Sequence, residues 1–194
     1  MLRIGIILGS TRPGRKGAQV AEWVVQRTNA RTDAQYELID LADHPLPHLD
    51  ERIPPSMGRY EHDHTKKWAE LIAQFDGFVV VTPEYNHGPS GVLKNAFDYL
   101  YAEWNNKAVG FVGYGSVGAA RAVEQLRLVA GELQMADVRV AVALPFASEF
   151  KDYKEFRPTA GANEALDEML HQLESWSGAL QEVRRDQRRE RMTG

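Results

Sequence analysis

The sequence predicts an α/β domain in which helices cover both faces of a parallel sheet. Apolar runs of strand length alternate along the chain with stretches of helical period, and Gly, Pro, Asp or Asn bounds each apolar run. Parallel neighbours need a crossover connection, which is usually a helix, so this alternation favours a parallel sheet. A length of 194 residues is sufficient for one such domain with a sizeable core.

Five apolar runs have the length of a strand. They lie at residues 4–8, 36–41, 78–82, 108–114 and 138–144. The first, third and fourth runs are apolar throughout, as expected for central strands that are buried on both faces. The second contains Glu37 and Asp40 and the fifth contains Arg139, which favours edge positions for both. This distribution matches the strand order 2-1-3-4-5 of a flavodoxin-like doubly wound sheet of five strands.

Stretches of helical period separate these strands and follow the last one. Their apolar stripes run through residues 21–28, 68–75, 93–104, 119–133 and 166–180. In the third stripe, Phe97, Tyr101 and Trp104 fit either an intramolecular core or the face of a dimer. We expect one domain over residues 1–183 and a polar, frayed tail over 184–194, where acidic and basic residues are interspersed.

Composition excludes several classes of function. The chain has no cysteine, so it has no disulfide framework, thiolate metal site or cysteine nucleophile, and any redox chemistry must come from a bound cofactor. A net charge of -4 argues against a nucleic-acid partner or an anionic membrane surface. No apolar run reaches transmembrane length. We therefore expect a cytoplasmic protein without membrane or nucleic-acid partners.

The loop after the first strand, GSTRPGRKG at residues 9–17, has the composition of a phosphate cradle. Its glycines let backbone amides approach an anion, a helix begins after it, and Ser10 with Arg12 or Arg15 can bind phosphate. A Walker loop is disfavoured because Arg15 takes the lysine position and Lys16 and Gly17 offer no hydroxyl for Mg²⁺. The dinucleotide pattern G-x-G-x-x-G is also missing. A terminal monophosphate fits best.

The loops after the third and fourth strands are suited to a flat ring. In a doubly wound sheet these loops and the first one meet at the carboxyl ends of the central strands. Residues 83–91 read PEYNHGPSG, a stiff loop that exposes backbone amides, and residues 114–118 read YGSVG at the start of a helix. Amide donors at the pyrimidine edge of an isoalloxazine would stabilise its negative charge on reduction.

These three loops, in this order, resemble those of the NADPH-dependent FMN reductase family, which also contains quinone, chromate and azo-dye reductases. The resemblance rests on Gly9-Ser10-Thr11-Arg12, Pro83-Glu84-Tyr85-Asn86 and Gly113-Tyr114-Gly115-Ser116. It implies that FMN is the cofactor, NADPH or NADH the co-substrate, and the assembly a homodimer or homotetramer. The cofactor-binding residues that it implies are Ser10, Arg12, Arg15, Lys16 and Gly17 at the phosphate, and Pro83, Glu84, Tyr85, Asn86, Tyr114, Gly115 and Ser116 at the ring. Whether Arg15 or Lys16 reaches the phosphate stays open.

The function expected from this resemblance is ping-pong transfer of a hydride from NAD(P)H, through N5 of FMN, to a small-molecule electron acceptor. No catalytic side chain is required, because the flavin carries the chemistry. A flavodoxin-type electron carrier that acts with partner proteins is the alternative, and a nucleotide-binding regulator is a third possibility. The sequence does not identify the acceptor.

The segment 43–64 is rich in His and Asp, but its prolines and spacing disfavour a metal site, and we expect no metal. A rim or lid over the flavin is the preferred interpretation of this long loop. Glu84 is expected to pair with a basic group or to face solvent, because an unpaired buried carboxylate is costly. His87 is expected at the rim.

Overall fold

The computed structural model describes residues 1–193, and only the backbone at positions 188 and 191–193. A parallel sheet lies at its centre. Its strands are β1 (Leu2–Leu8), β2 (Ala34–Asp40), β3 (Gly77–Pro83), β4 (Ala108–Gly115), β5 (Ala136–Asp137) and β6 (Val142–Pro145). The strand order is β2-β1-β3-β4-β5, and β6 pairs with β4 beyond β5. This arrangement confirms the predicted order 2-1-3-4-5 and the flavodoxin-like class.

Burial of the strands follows their position in the sheet. Every residue of β3 and β4 is buried, whereas only Ala34 and Ile39 are buried in β2, which lies at the sheet edge. Glu37 and Arg3 pair across neighbouring strands on the accessible side of this edge, 3.0 Å apart. Central parallel strands are covered on both faces, so the uninterrupted apolar sequences belong in the middle.

The fifth position of the sheet differs from the single strand that the sequence predicts. Two short strands, β5 and β6, are separated by residues 138–141. The Arg127 guanidinium donates to the carbonyl oxygens of Val138 (3.0 Å) and Arg139 (3.1 Å), and the Gln172 side chain accepts from the Val140 amide (3.2 Å). Side chains thus satisfy backbone groups that a continuous strand would pair with its neighbour.

Helices pack on both faces of the sheet. One face carries α1 (Gly17–Thr28) and α6 (Ala160–Thr193), and the other carries α2 (Asp63–Ala73), α3 (Gly91–Asp98) and α4 (Ala120–Glu132). Alternate residues of β1 divide between the two cores: Ile4, Ile6 and Leu8 face α1 and α6, while Ile7 faces the other three helices. A short helix, α5 (Phe146–Glu149), leads into a hairpin of β7 (Phe150–Lys151) and β8 (Glu155–Phe156) that the sequence did not predict.

The third helix is shorter than predicted. It ends at Asp98, so the predicted helical stripe through Tyr101 and Trp104 is wrong, and residues 99–104 form turns. The Trp104 indole donates to the carbonyl oxygen of Phe97 at 3.2 Å, at the helix end, where this carbonyl also accepts from the Leu100 amide at 3.4 Å. Trp104 is fully buried and its ring lies 4.9 Å from that of Phe97. Both side chains therefore belong to the intramolecular core.

The last helix passes through the first residues of the predicted tail. Arg184 forms an ion pair with Asp76, directly before β3, and also donates to the carbonyl oxygen of Asn106. The expected fraying of residues 184–194 stays a prediction, and Gly194 lies outside the described residues. No helix in the described part of the chain is long and apolar enough to cross a membrane.

Candidate active site

The loops after β1, β3 and β4 meet at one edge of the sheet and line a cleft of about 230 Å³, which we call the three-loop cleft. Its lining residues are Arg12, Arg15, Lys16, Pro83, Glu84, Tyr85, Tyr114, Gly115, Ser116 and Phe146. Of the predicted site residues, only Ser10, Gly17 and Asn86 are not among them. Phe146 was missed because it follows the fifth strand, whose loop carries no polar motif. The predicted loops thus converge as the topology requires.

Two hydroxyl groups join the first loop to the second. Ser10 is 1% exposed, and its Oγ lies 3.0 Å from the hydroxyl of Tyr85. The same Oγ accepts from the backbone amide of Arg12 at 3.5 Å. Ser10 therefore lies beneath the residues that line the cleft, and its hydroxyl connects the loop after β1 to the loop after β3.

The cations of the first loop differ in their partners. Arg15 forms an ion pair with Asp40 at the end of β2 and also donates to the carbonyl oxygen of Ser10. Both charged side chains are less than one-fifth exposed, at 17% for Arg15 and 18% for Asp40. Arg12 and Lys16 have no carboxylate partner within the described residues, and the Lys16 Nζ lies 5.6 Å from the centre of the Phe146 ring. Two positive charges at this end of the cleft are thus not balanced.

The second loop is a tight turn. Tyr85 and Gly88 exchange backbone hydrogen bonds of 2.9 and 3.1 Å, and Asn86 and His87 between them have φ of 51° and 69°. Two consecutive left-handed residues characterise a type I′ turn, in which Asn is favoured. The turn fixes the direction of the residues that border the cleft.

Glu84 ties the second loop to the start of α4. Its side chain is 7% exposed and accepts from the backbone amides of Arg121 (3.0 Å) and Ala122 (3.2 Å) and from the Arg121 Nε (2.7 Å). Burial raises the pKa of the Glu84 carboxyl, but the hydrogen bonds from Arg121 outweigh burial and lower it. The guanidinium also reaches the Nε2 of His87 at 2.8 Å. The predicted pairing of Glu84 with a basic group is present, and sequence reasoning had not singled out Arg121.

The side chain of Tyr114 lies beneath the third loop and points toward the first. It is 4% exposed, and its hydroxyl makes no well-formed hydrogen bond in the described part of the chain. Burial and the neighbouring Tyr85 raise the pKa of Tyr114 to about 12, while the nearby Ser10 hydroxyl, the Arg15 charge and the Gly17 amide act to lower it. A Cβ at Gly17 would lie 2.5 Å from this hydroxyl, so the start of α1 requires glycine. The sequence had placed Tyr114 at the ring side.

Hydrogen bonds hold the long loop between β2 and α2 against α3. The Asn95 side chain donates to the Pro47 carbonyl (2.7 Å) and accepts from the Leu49 amide (3.0 Å). Asp50 accepts from the Tyr99 hydroxyl at 2.9 Å and lies 3.0 Å from the His64 Nε2. The residues that the structure describes contain no group of three His, Asp or Glu arranged to hold a metal ion. The role of this loop as a rim or lid stays a prediction.

Comparison with known proteins agrees with this geometry. Residues 2–149 match the NADPH-dependent FMN reductase family. The chain is 45% identical to an NAD(P)H-dependent FMN reductase of Schizosaccharomyces pombe over 145 residues, which cover 74% of this chain and 71% of that protein. A reductase of the same description from a Nectria species is 40% identical over 158 residues, with coverage of 76% and 77%.

A solved structure shares the fold at low sequence identity. The flavoenzyme NAD(P)H:(acceptor) oxidoreductase of Paracoccus denitrificans superposes with a TM-score of 0.71 at 18% identity, covering 92% of this chain and 98% of that one. The family match confirms the resemblance seen in the three loops and the prediction of an oxidoreductase that uses FMN and NAD(P)H. The chain belongs to the NADPH-dependent FMN reductase family.

Proposed function

We propose that the three-loop cleft binds FMN and that the enzyme transfers hydride from NADPH or NADH, by a ping-pong sequence, to a small-molecule acceptor. The observation that carries this proposal is the convergence of the three loops on one cleft, with unbalanced positive charge at one end and two glycine-containing turns at the other. The residues present fit the cofactor, as the two ends of the cleft illustrate.

The first loop fits the phosphate of FMN. Arg12 and Lys16 supply two positive charges, and α1 begins at Gly17 with amide groups that its own turns leave free. Arg15 is committed to Asp40, so we assign it to holding the loop in shape. This division favours Lys16 over Arg15 as the residue that contacts the phosphate.

The second and third loops fit the ring. Pro83 and Tyr85 line the cleft on one side and would border the ring, and the amides after Tyr114 would face its pyrimidine edge from the other. Gly115 has φ of 154°, which residues with a side chain rarely adopt, so the backbone turns there at the cleft wall. Glu84 and Arg121 fix the distance between the two loops. When bound, FMN supplies a ring that accepts hydride from a nicotinamide and reduces an acceptor.

Relatives favour a small, flat acceptor. A 2-hydroxy-1,4-benzoquinone reductase of a Burkholderia species is 30% identical over 144 residues, covering 69% of this chain and 73% of that protein. An FMN-dependent NADPH-azoreductase of Staphylococcus haemolyticus is 29% identical over 153 residues, with coverage of 77% and 78%. We propose a quinone, azo compound or free flavin as the acceptor. We also propose that the protein is cytoplasmic and forms a homodimer. Sedimentation velocity tests the dimer, which should have twice the chain mass of 21.8 kDa.

Anaerobic stopped-flow absorbance tests the proposal. The FMN-loaded protein is mixed with NADPH and, separately, with NADH, and the flavin absorption is followed before a quinone is added. We expect rapid bleaching by at least one nicotinamide and recovery on addition of the quinone. A flavin that stays oxidised would identify an electron carrier instead. A protein that binds ATP but no flavin would identify a nucleotide-binding regulator.

A further inference from the structure

The hydroxyl of Tyr114 is a buried polar group that makes no well-formed hydrogen bond within the protein. The side chain is 4% exposed, and although the Ser10 hydroxyl and the Gly17 amide lie near its oxygen, neither forms a hydrogen bond of good geometry with it. Packing does not explain the hydroxyl, because a phenylalanine would fill the same space against the ring of Phe146, 6.4 Å away. Buried hydroxyls in folded proteins almost always have a partner, so this one indicates a group from outside the chain.

The surroundings of this hydroxyl identify the chemistry of that group. The oxygen lies at the start of α1, where a Cβ on Gly17 would approach it to 2.5 Å. The hydroxyls of Ser10 and Tyr85, joined at 3.0 Å, lie close enough to Tyr114 to influence its pKa. Three loops therefore each bring a hydroxyl to one helix N-terminus.

The charge of this region favours an anion. Arg12 and Lys16 line the same end of the cleft without a carboxylate partner in the described residues. A phenol is protonated at neutral pH, and burial raises the pKa of Tyr114 further, to about 12, so the hydroxyl can act as a donor. A donor beside a helix N-terminus and two cations suits an oxygen of a phosphate group.

We propose that Tyr114 binds the phosphate of FMN through its hydroxyl and thereby makes the site select FMN over riboflavin. This inference rests on the proposed function, since it assumes that the three-loop cleft is the flavin site. It assigns the residue that begins the third loop to the phosphate end of the cofactor, although its neighbours Gly115 and Ser116 serve the ring.

Substitution of Tyr114 by Phe tests the inference because it removes only the hydroxyl. The dissociation constants of FMN and riboflavin are measured on flavin-free protein by quenching of flavin fluorescence. We expect Y114F to bind FMN about tenfold more weakly, the loss typical of one hydrogen bond to a charged group, and riboflavin within about twofold of wild type. Unchanged FMN affinity, or an equal loss for both flavins, would overturn the inference.

The stability of the flavin-free protein provides a second readout. We expect Y114F to melt at the same temperature as wild type or higher, because the lost hydroxyl makes no well-formed hydrogen bond in the protein. Tyr36→Phe is the control: it removes a partly buried hydroxyl that donates to Glu174 at 2.6 Å, and Tyr36 is not among the residues that line the cleft. Y36F should melt lower and keep the wild-type preference for FMN.

Inorganic phosphate is a further probe that needs no flavin. Compared with chloride at the same ionic strength, it should raise the melting temperature of wild type more than that of Y114F. An equal rise in both proteins contradicts the inference. If wild type binds neither flavin, the proposed function fails; if it binds FMN and Y114F binds it equally well, this inference alone fails.

Discussion

Arg12, Arg15 and Lys16 occupy the same loop, yet the structure gives them different tasks. Arg15 is paired with Asp40, which lies at the end of β2 and 25 positions along the chain. The sequence could not predict this pair, because it depends on the alignment of Leu8 with Asp40 in the β1–β2 register. Residue type marked all three as phosphate ligands, but only the tertiary contact separates the structural cation from the other two.

Substitution of each arginine by Met should separate the two tasks. Arg12→Met should weaken FMN binding about tenfold and reduce its salt dependence, while the free energy of unfolding changes by no more than about 0.5 kcal/mol, as for other exposed sites. Fluorescence titration at two salt concentrations measures this effect.

Arg15→Met should instead destabilise the flavin-free protein. Asp40, which is 18% exposed, then has no ion-pair partner. We expect the free energy of unfolding, measured by urea denaturation, to fall by about 1 to 2 kcal/mol. The double variant Arg15→Met, Asp40→Asn should regain part of that stability, because it removes the uncompensated charge. If R15M were as stable as wild type, Arg15 would not hold the loop.

The position of the second loop depends on the ion pair between Glu84 and Arg121. Arg121→Met should cost roughly 1 to 3 kcal/mol of unfolding free energy, because a carboxylate that is 7% exposed keeps only its two backbone donors. FMN affinity should fall with it, since the second loop loses its tie to α4. Glu84→Gln is the control, because a neutral amide can still accept from the same backbone groups. If E84Q had a lower free energy of unfolding than R121M, this account would be contradicted.

At the scale of elements, the helix α6 is attached to the far end of the sheet by a buried ion pair. Glu174, 7% exposed, accepts from the Arg31 Nε and from the Tyr36 hydroxyl, both at 2.6 Å. Burial raises the pKa of the Glu174 carboxyl, but the hydrogen bonds from Arg31 and Tyr36 outweigh it and lower the pKa. The carboxylate form is therefore the one that binds α6 to β2, through Tyr36, and to the connection between α1 and β2, through Arg31.

This attachment makes stability depend on pH. Because the folded pKa of Glu174 lies below its unfolded value, its contribution is fully present above the unfolded pKa and is lost as pH falls through the folded one. Glu174→Gln should lower stability at neutral pH by roughly 1 to 3 kcal/mol and should flatten the decline in stability from neutral to acid pH. Urea denaturation across this range measures both. A parallel pH profile in the variant would show that other carboxylates cause the decline.

The sequence predicted the helices and strands whose position is set by a run of buried apolar residues. It did not predict the boundaries that depend on a hydrogen bond from a single side chain. Periodicity identified β1, β3 and β4 because each is buried along its whole apolar run. It could not foresee the end of α3, which the indole of Trp104 helps to set, or the break between β5 and β6, which Arg127 bridges. The hairpin of β7 and β8 has two residues in each strand, too few for a period to appear.

At the scale of the molecule, topology alone located the site. The order 2-1-3-4-5 brings the ends of β1, β3 and β4 together whatever their loops contain, so the three motifs had one place to meet. What the order could not predict is the direction of side chains within the cleft. Tyr114 lies next to the end of β4, whose loop we predicted to face the ring, yet its hydroxyl points to the start of α1 because Gly17 leaves room for it.

Flavin binding should stabilise the whole domain, because the cleft joins loops from three strands. A concentration of FMN at 100 times its dissociation constant should add about 2.7 kcal/mol to the free energy of unfolding. For a chain of this size, that corresponds to a rise in melting temperature of roughly 5 to 10 °C. Differential scanning calorimetry with riboflavin at the same concentration is the control, and its rise should be smaller. No rise with saturating FMN would exclude preferential binding to the folded state.

The interruption between β5 and β6 also has a consequence for how the protein behaves at high concentration. An exposed strand edge offers a row of amide and carbonyl groups on which another chain can assemble, and this is a common route to aggregation. Here Arg127 and Gln172 already occupy the polar groups of Val138, Arg139 and Val140. That edge is therefore a poor template for intermolecular strand pairing. Arg127→Ala would free two carbonyl groups, and we expect it to scatter more light than wild type during refolding.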